Sequence, residues 1–178
     1  MAKKEIAKAK KDENSALKKK IAEWCDKMYI QNYKINDDNT IDVIGFCNLR
    51  GYLNGNLPDY IQFGTIYPHP IYKTTDFDIS DNSISSLKGC PHTIYGNFKC
   101  HDTKVKSLDY APKIVKSTFI FYNNPLEAED FMIEDICKCN FIQTYKYYVW
   151  NPKDWGLSTK TTNKDKKKTE KSTKKSEK

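Results

Sequence analysis

The sequence lacks any apolar run near the ~18 residues that a membrane-spanning helix needs, so no transmembrane segment is expected. Its opening, MAKKEIAKAKKDEN, is charged throughout and holds no apolar stretch of the kind a secretory signal requires. A secreted, disulfide-stapled mini-protein is therefore not expected despite six cysteines, and the expected setting is a reducing cytoplasm. Arginine is nearly absent: Arg50 is the only one. The planar fork that reads guanine or phosphate in two parallel hydrogen bonds is correspondingly scarce. Also missing are a glycine-rich phosphate loop, a nucleophile elbow, an H-E-x-x-H run and a locally supported Cys/His pair. No catalysis and no cofactor are expected.

What is present is divided by charge. The chain of 178 residues carries a net charge of +7, but Met1–Lys20 holds eight lysines against three acids, and Thr159–Lys178 nine against three. The remainder is mildly acidic. Residues 1–14 read as a basic N-terminal tail, and 159–178 as a disordered Lys-rich tail with no apolar side chain to offset the entropy of ordering. Such a tail is a solvated end, or an arm that neutralises the phosphates of a nucleic acid. Between the tails, residues 15–158 form one domain.

Leu17, Ile21, Trp24 and Met28 recur at spacings of four, three and four, the apolar stripe of a helix that Asn14 or Ser15 caps. It is expected to run from Ser15 to about Tyr29 and to close one end of the domain.

The strongest signal is a repeat. Phe77–Asn97 aligned on Phe98–Thr118 gives five identities: Phe77/Phe98, Asp81/Asp102, Ser86/Ser107, Leu87/Leu108 and Pro91/Pro112. A fixed period of this length marks a solenoid. A third unit begins at Phe119, with Phe121, Asn124 and Leu126 in register, so the clear repeats span 77–126. Within each unit Phe77 and Ile79 alternate with Asp78 and Ser80, as in a short strand. Stacked units place Phe77, Phe98 and Phe119 in one buried column and Ile79, Cys100 and Phe121 in the next. Asn82 and Asn124 stand where an amide satisfies the backbone of a bend, with Thr103 a partial substitute. Pro91 and Pro112 are expected to keep the return segment from pairing as a central strand.

The run resembles the leucine-rich-repeat pattern L-x-L-x-x-N-x-L, with Phe leading. More specifically, it resembles leucine-rich-repeat-like proteins encoded by large tailed bacteriophages, with units of the form SLxGxPxxVxGxFxC. The residues that carry this are Tyr33–Gly45, Leu57-Pro58, Phe63-Gly64, Ser86–Pro91, Gly96–Cys100 and Asn123–Leu126. The resemblance implies an α+β repeat, a short leucine-rich-repeat-like solenoid with parallel strands, placed in the host cytoplasm or in the virion. It implies no catalytic residue. One departure is a ten-residue insertion, Tyr67–Asp76, and loops on a rigid scaffold commonly carry binding.

A helix before the repeats and Glu127–Leu157 after them are expected to cap the stack. In the latter, Phe131, Ile133, Ile136, Phe141 and Ile142 read as a helix and a turn. Tyr145, Tyr147, Tyr148, Val149, Trp150 and Trp155 then form an aromatic stretch. Cys90, His92, Cys100 and His101 have the residue types of a zinc site. The repeat register turns Cys100 inward and His101 outward, so no metal is expected there. Cys137 and Cys139 lack the C-x-x-C spacing, and Asp76, Asp78, Asp81 and Asp102 read as a solvated face rather than a cation site.

These readings lead to a non-catalytic module that binds another protein, of the host or the phage, with no membrane association. The expected binding surface is the outward strand face, Asp78, Ser80, Lys99, His101, Ile120 and Tyr122, flanked by Tyr67, His69, Tyr72 and Lys73 of the inserted loop. The alternative is a nucleic-acid-associated or virion structural protein that works through its Lys-rich tails.

Overall fold

Alternating apolar residues that recur every turn must stack, because a single turn has no second layer in which to bury them. The computed structural model of the chain describes residues 2–73, 75–126, 130–144 and 149–150. In it a helix, α1 (Ala2–Lys27), is followed by a mostly parallel β-solenoid of about four turns. Each turn contributes two short strands that meet at a corner. The first ladder contains β2 (Ile41–Ile44), β4 (Phe63–Tyr67), β6 (Thr93–Ile94) and the front of β8 (Ile114–Ile120). The second contains β3 (Cys47–Asn48), β5 (Asp76–Asp78), β7 (Asn97–Lys99) and the rear of β8. Beyond them α2 (Asp130–Ile136) leads into β9 (Lys138–Gln143), which pairs in parallel along β8 and carries β10 (Val149–Trp150) antiparallel. At the other end β1 (Tyr33–Ile35) closes β2, also antiparallel.

Register converts the repeat into columns. Val43, Ile66, Ile94, Val115 and Cys139 are successive partners on one ladder. On the other, Cys47, Phe77, Phe98, Phe119 and Ile142 follow one another. All ten are buried. The aromatic rings form a spine that begins on the helix: Trp24 meets Phe63 edge-on at 6.3 Å, Phe63 meets Phe77 at 5.0 Å, and Phe98 meets Phe119 at 4.9 Å. The expected Phe and Ile79/Cys100/Phe121 columns are thus present.

Four expectations change. The turn has two strands, not one. Pro91 and Pro112 do not stop the return segment from pairing, because β6 and β8 each start two residues later, where the missing proline N–H is no longer needed. The helix begins at Ala2 rather than Ser15: residues 5–13 of it are exposed, and only from Leu17 onward does its stripe pack. The stack also continues past the third unit. Phe141 and Ile142 belong to β9, not to a turn, since Cys139 and Ile142 complete the two columns. Tyr145, Tyr147, Tyr148, Trp155 and the 159–178 tail lie outside the described residues.

The corner that follows the second ladder is the tightest part of the turn. Gly51, Asp81, Asp102 and Asn123 all have left-handed φ, between 53° and 71°. Their amides hydrogen-bond in a column, Gly51 N–H to the Ser80 carbonyl, Asp81 to His101 and Asp102 to Tyr122. Glycine meets this requirement without a Cβ clash, and Asp and Asn are the residues that next tolerate it. Immediately after, the buried Asn82 amide donates to the carbonyls of Leu49, Ile79 and Ser80 at 2.9–3.1 Å, and its oxygen accepts the Leu53 N–H at 2.8 Å. Asn124 does the same two turns later, donating to the Cys100 carbonyl and accepting the Thr103 N–H and hydroxyl. Thr103 stands in for the amide in between, with its hydroxyl accepting the Val105 N–H.

Replacing Asn82 by Leu strands these buried backbone groups and is expected to cost about 2–4 kcal/mol. Phe98→Ala, which opens the spine, is expected to cost about 3–5 kcal/mol. Urea denaturation measures both, and an Asn82→Leu loss below about 0.5 kcal/mol would contradict this role for the amide.

Candidate interaction surface

Of the six strand positions expected to form the binding face, three are buried. Asp78 is only 5% exposed, Ser80 0% and His101 8%. Asp78 accepts the Ser80 amide at 3.0 Å and its hydroxyl as well. The His101 ring stacks on Tyr122 at 4.6 Å, nearly parallel, and its Nδ1 bonds the Asp102 carboxylate at 2.7 Å. Lys99 pairs with Asp76 at 2.7 Å, and Arg50 reaches across from the preceding turn to Asp81 at 2.5 Å. The hydrogen bond from His101, followed by that from Asn123, holds the Asp102 carboxyl below its usual range. Lys99, Ile120 and Tyr122 remain half-buried. The reason for the difference is pairing that strand alternation alone does not foretell: Asp78 bonds Ser80 and His101 bonds Asp102 within one turn, while Lys99–Asp76, Arg50–Asp81 and the His101–Tyr122 stack join neighbouring turns.

Asp81, His101 and Asp102 present donor atoms within 4.8 Å of one another. The Arg50 guanidinium already neutralises Asp81, so the cluster has a cation of the protein's own. Cys90 and Cys100 point into the core, while His92 is exposed, so these donors do not converge.

The inserted loop has the opposite character. It leaves the first ladder at Tyr67 and rejoins the second at Asp76, bridging the corner that other turns make in two residues. His69 organises it: Nδ1 accepts the amides of Ile71 and Tyr72 at 3.2 Å, the ring stacks on Tyr72 at 4.8 Å, and its carbonyl accepts the Lys73 amide. Lys73 is exposed, in the left-handed region with φ 52°. The loop's return is pinned at Gly96, where any Cβ would overlap the Thr75 carbonyl. Tyr67 stacks on Tyr95 of the next turn at 5.8 Å. Ile71 and Tyr72 are 75% and 72% exposed, a large apolar area held out on a structured loop.

That loop forms one wall of a groove of about 450 Å³ at the first turn of the solenoid. The segment after α1 forms another, with Tyr29 78% exposed, and Phe46 and Tyr52 also line it. A second groove of about 290 Å³ runs on from it, sharing Met28 and Tyr52, toward Pro58. Of the four loop residues named from the sequence, His69 and Tyr72 line the groove, Tyr67 stacks beside it and Lys73 is exposed. Tyr29, Ile44, Phe46 and Tyr52 were not foreseen. They lie outside the repeat and share no spacing, so only the folded chain brings them together.

The thiols take no part in this surface. All six cysteines are buried and unpaired. Burial pushes Cys25 and Cys100 up to about 12 and raises Cys47 and Cys90 as well. Cys137 is raised by its hydrogen bond with Cys139 and by burial.

No family model, no curated protein and no solved structure matches the chain.

A thiol that is both buried and protonated does not alkylate. Iodoacetamide at pH 8 is expected to leave the native protein's mass unchanged and to add six carbamidomethyl groups in urea. Labelling of any cysteine at a free-thiol rate in the native state would contradict the described core.

Proposed function

We propose that the protein is a non-catalytic module that binds another protein through the exposed aromatic surface of its first turns. One observation carries this reading: Tyr29, Phe46, Tyr52 and Tyr72 line a single groove while Tyr67 and Ile71 stand exposed on the same inserted loop. Tyrosines of this kind dominate the energetics of protein interfaces, since each offers a large rigid area and a polar tip. Exposed apolar side chains in such a concentration mark interaction sites on soluble domains. The outward strand face contributes its rim, through the half-buried Lys99, Ile120 and Tyr122. The resemblance of the repeat to leucine-rich-repeat-like proteins of large tailed bacteriophages supports an accessory or counter-defence role against a host or phage protein.

A second reading has its own observation. Residues 5–13 of α1 are exposed and carry Lys8, Lys10 and Lys11, and Lys3 and Lys4 precede them in the sequence. With the C-terminal lysines they offer phosphate contacts, as a nucleic-acid-associated or virion protein would need.

Pull-downs with the full chain from nuclease-treated lysate separate the two. Protein binding through the groove predicts a captured protein that survives nuclease and is lost with Tyr52→Ser plus Tyr72→Ser. Capture that needs nucleic acid, falls steeply with salt and is abolished by Lys→Gln at residues 164 and 166–168 would favour the second reading instead.

A further inference from the structure

The groove has a main-chain feature that its aromatic walls conceal. β3 is the last strand of its ladder: it pairs with β5 on one side, and among the described residues no strand pairs with the other. Leu49 N–H donates to the Asp78 carbonyl at 2.8 Å, so strand alternation turns the N–H and C=O of Asn48 to the open side, into the groove. The other free ends differ. The first ladder is closed by β1, whose exposed Lys34 guards its edge, and at the far end of the second ladder β10 pairs with Phe141 and Ile142 of β9. Around β3 the sequence Gly45–Leu49 contains no proline and no charge, the usual devices that keep an edge from pairing.

We infer that this edge takes an extended peptide segment of a partner protein as an added strand, lying along the groove past Tyr52. The inference rests on the protein-binding reading and names its mode. Three observations commit the occupant. An open edge rewards a chain whose own amides and carbonyls are in β conformation. The two grooves, joined at Met28 and Tyr52, form a channel suited to an elongated segment rather than a compact ligand. Their lining contains no carboxylate, and Lys27 is its one lysine, so the favoured segment lacks basic residues and carries an acid toward the Lys27 end. The Lys-rich C-terminal tail of this chain does not meet that description. Side chains of the bound strand would meet Tyr29, Phe46 and Tyr72, which line the groove.

The test is to pan a displayed library of random linear peptides against the full-length protein, then to titrate the best synthetic peptide by fluorescence anisotropy. The expected selection alternates apolar or aromatic residues, excludes Lys and Arg, and includes an acid at one end. N-methylation of the alternate peptide amides that face β3 should weaken binding at least about tenfold, as should Phe46→Ser and Tyr52→Ser. Asn48→Pro removes the edge N–H and should do the same; its urea midpoint is measured alongside, and the serine variants stand alone if it fails to fold. Lys116→Ala, at an exposed position of β8 away from the groove lining, should leave the peptide's affinity unchanged. Failure to enrich any peptide, or binding indifferent to both N-methylation and the serine variants, overturns the inference. So does a dimer, seen by sedimentation, that Phe46→Asp disperses, because a second copy would then be the occupant. If the lysate pull-down still captures a protein that these serine variants do not release, the edge is wrong while protein binding stands. If capture is nuclease-sensitive throughout, protein binding itself fails.

Discussion

The stack depends on one constraint: the backbone must turn sharply after each second-ladder strand and do so without leaving buried polar groups unpaired. A left-handed residue makes the bend, and an amide directly after it bonds across to the turn before. Without that satisfaction, the carbonyls of Leu49 and Ile79 would be buried and unpartnered, at a cost that hydrophobic burial of a short turn would struggle to offset. The phenylalanine columns then follow, since fixing the bend fixes which residues of the next turn fall beneath Phe77 and Phe98. Specificity comes from the corner, and most of the free energy from the spine.

The same geometry explains where function does and does not reside. Turns at a constant period bring outward side chains directly over one another, and there Asp76, Lys99, Asp81, Arg50, Asp102 and His101 pair off. Their mutual neutralisation leaves little for a partner to take. Where the period breaks, by insertion of Tyr67–Asp76 and at the first turn where no earlier coil supplies partners, apolar side chains and a main-chain edge are left uncovered. Irregularity in a repeat protein is thus where its chemistry becomes available.

Much of the fold was legible in the sequence, because identities at a fixed period report stacking directly. Phe77/Phe98/Phe119, the role of Asn82 and Asn124, and the capping helix from Leu17 onward all follow from spacing. The second strand of each turn was not, since Thr93–Ile94 is two residues long and follows a proline. Nor was the last strand, because Phe141 and Ile142 are adjacent and imitate a helical face. The strand face expected to be open to a partner holds Asp78, Ser80 and His101 buried. Alternation sets which way a side chain points, whereas burial depends on what the neighbouring turns supply. The inserted loop was visible as a break in period. Its partners in the groove, from Tyr29 to Tyr52, were not, because their proximity exists only once α1 docks on the first turn.

Backbone amide exchange, resolved residue by residue on the full-length protein, tests the account most directly. It predicts the slowest exchange at Ile79, Cys100 and Phe121, whose amides bond between turns in the second ladder. It also predicts that Asn48, one residue before the bonded Leu49, exchanges fast because its N–H faces the open groove. Protection of Asn48 equal to that of Leu49 would show the edge already covered, and fast exchange at Cys100 would contradict the stacked turns themselves.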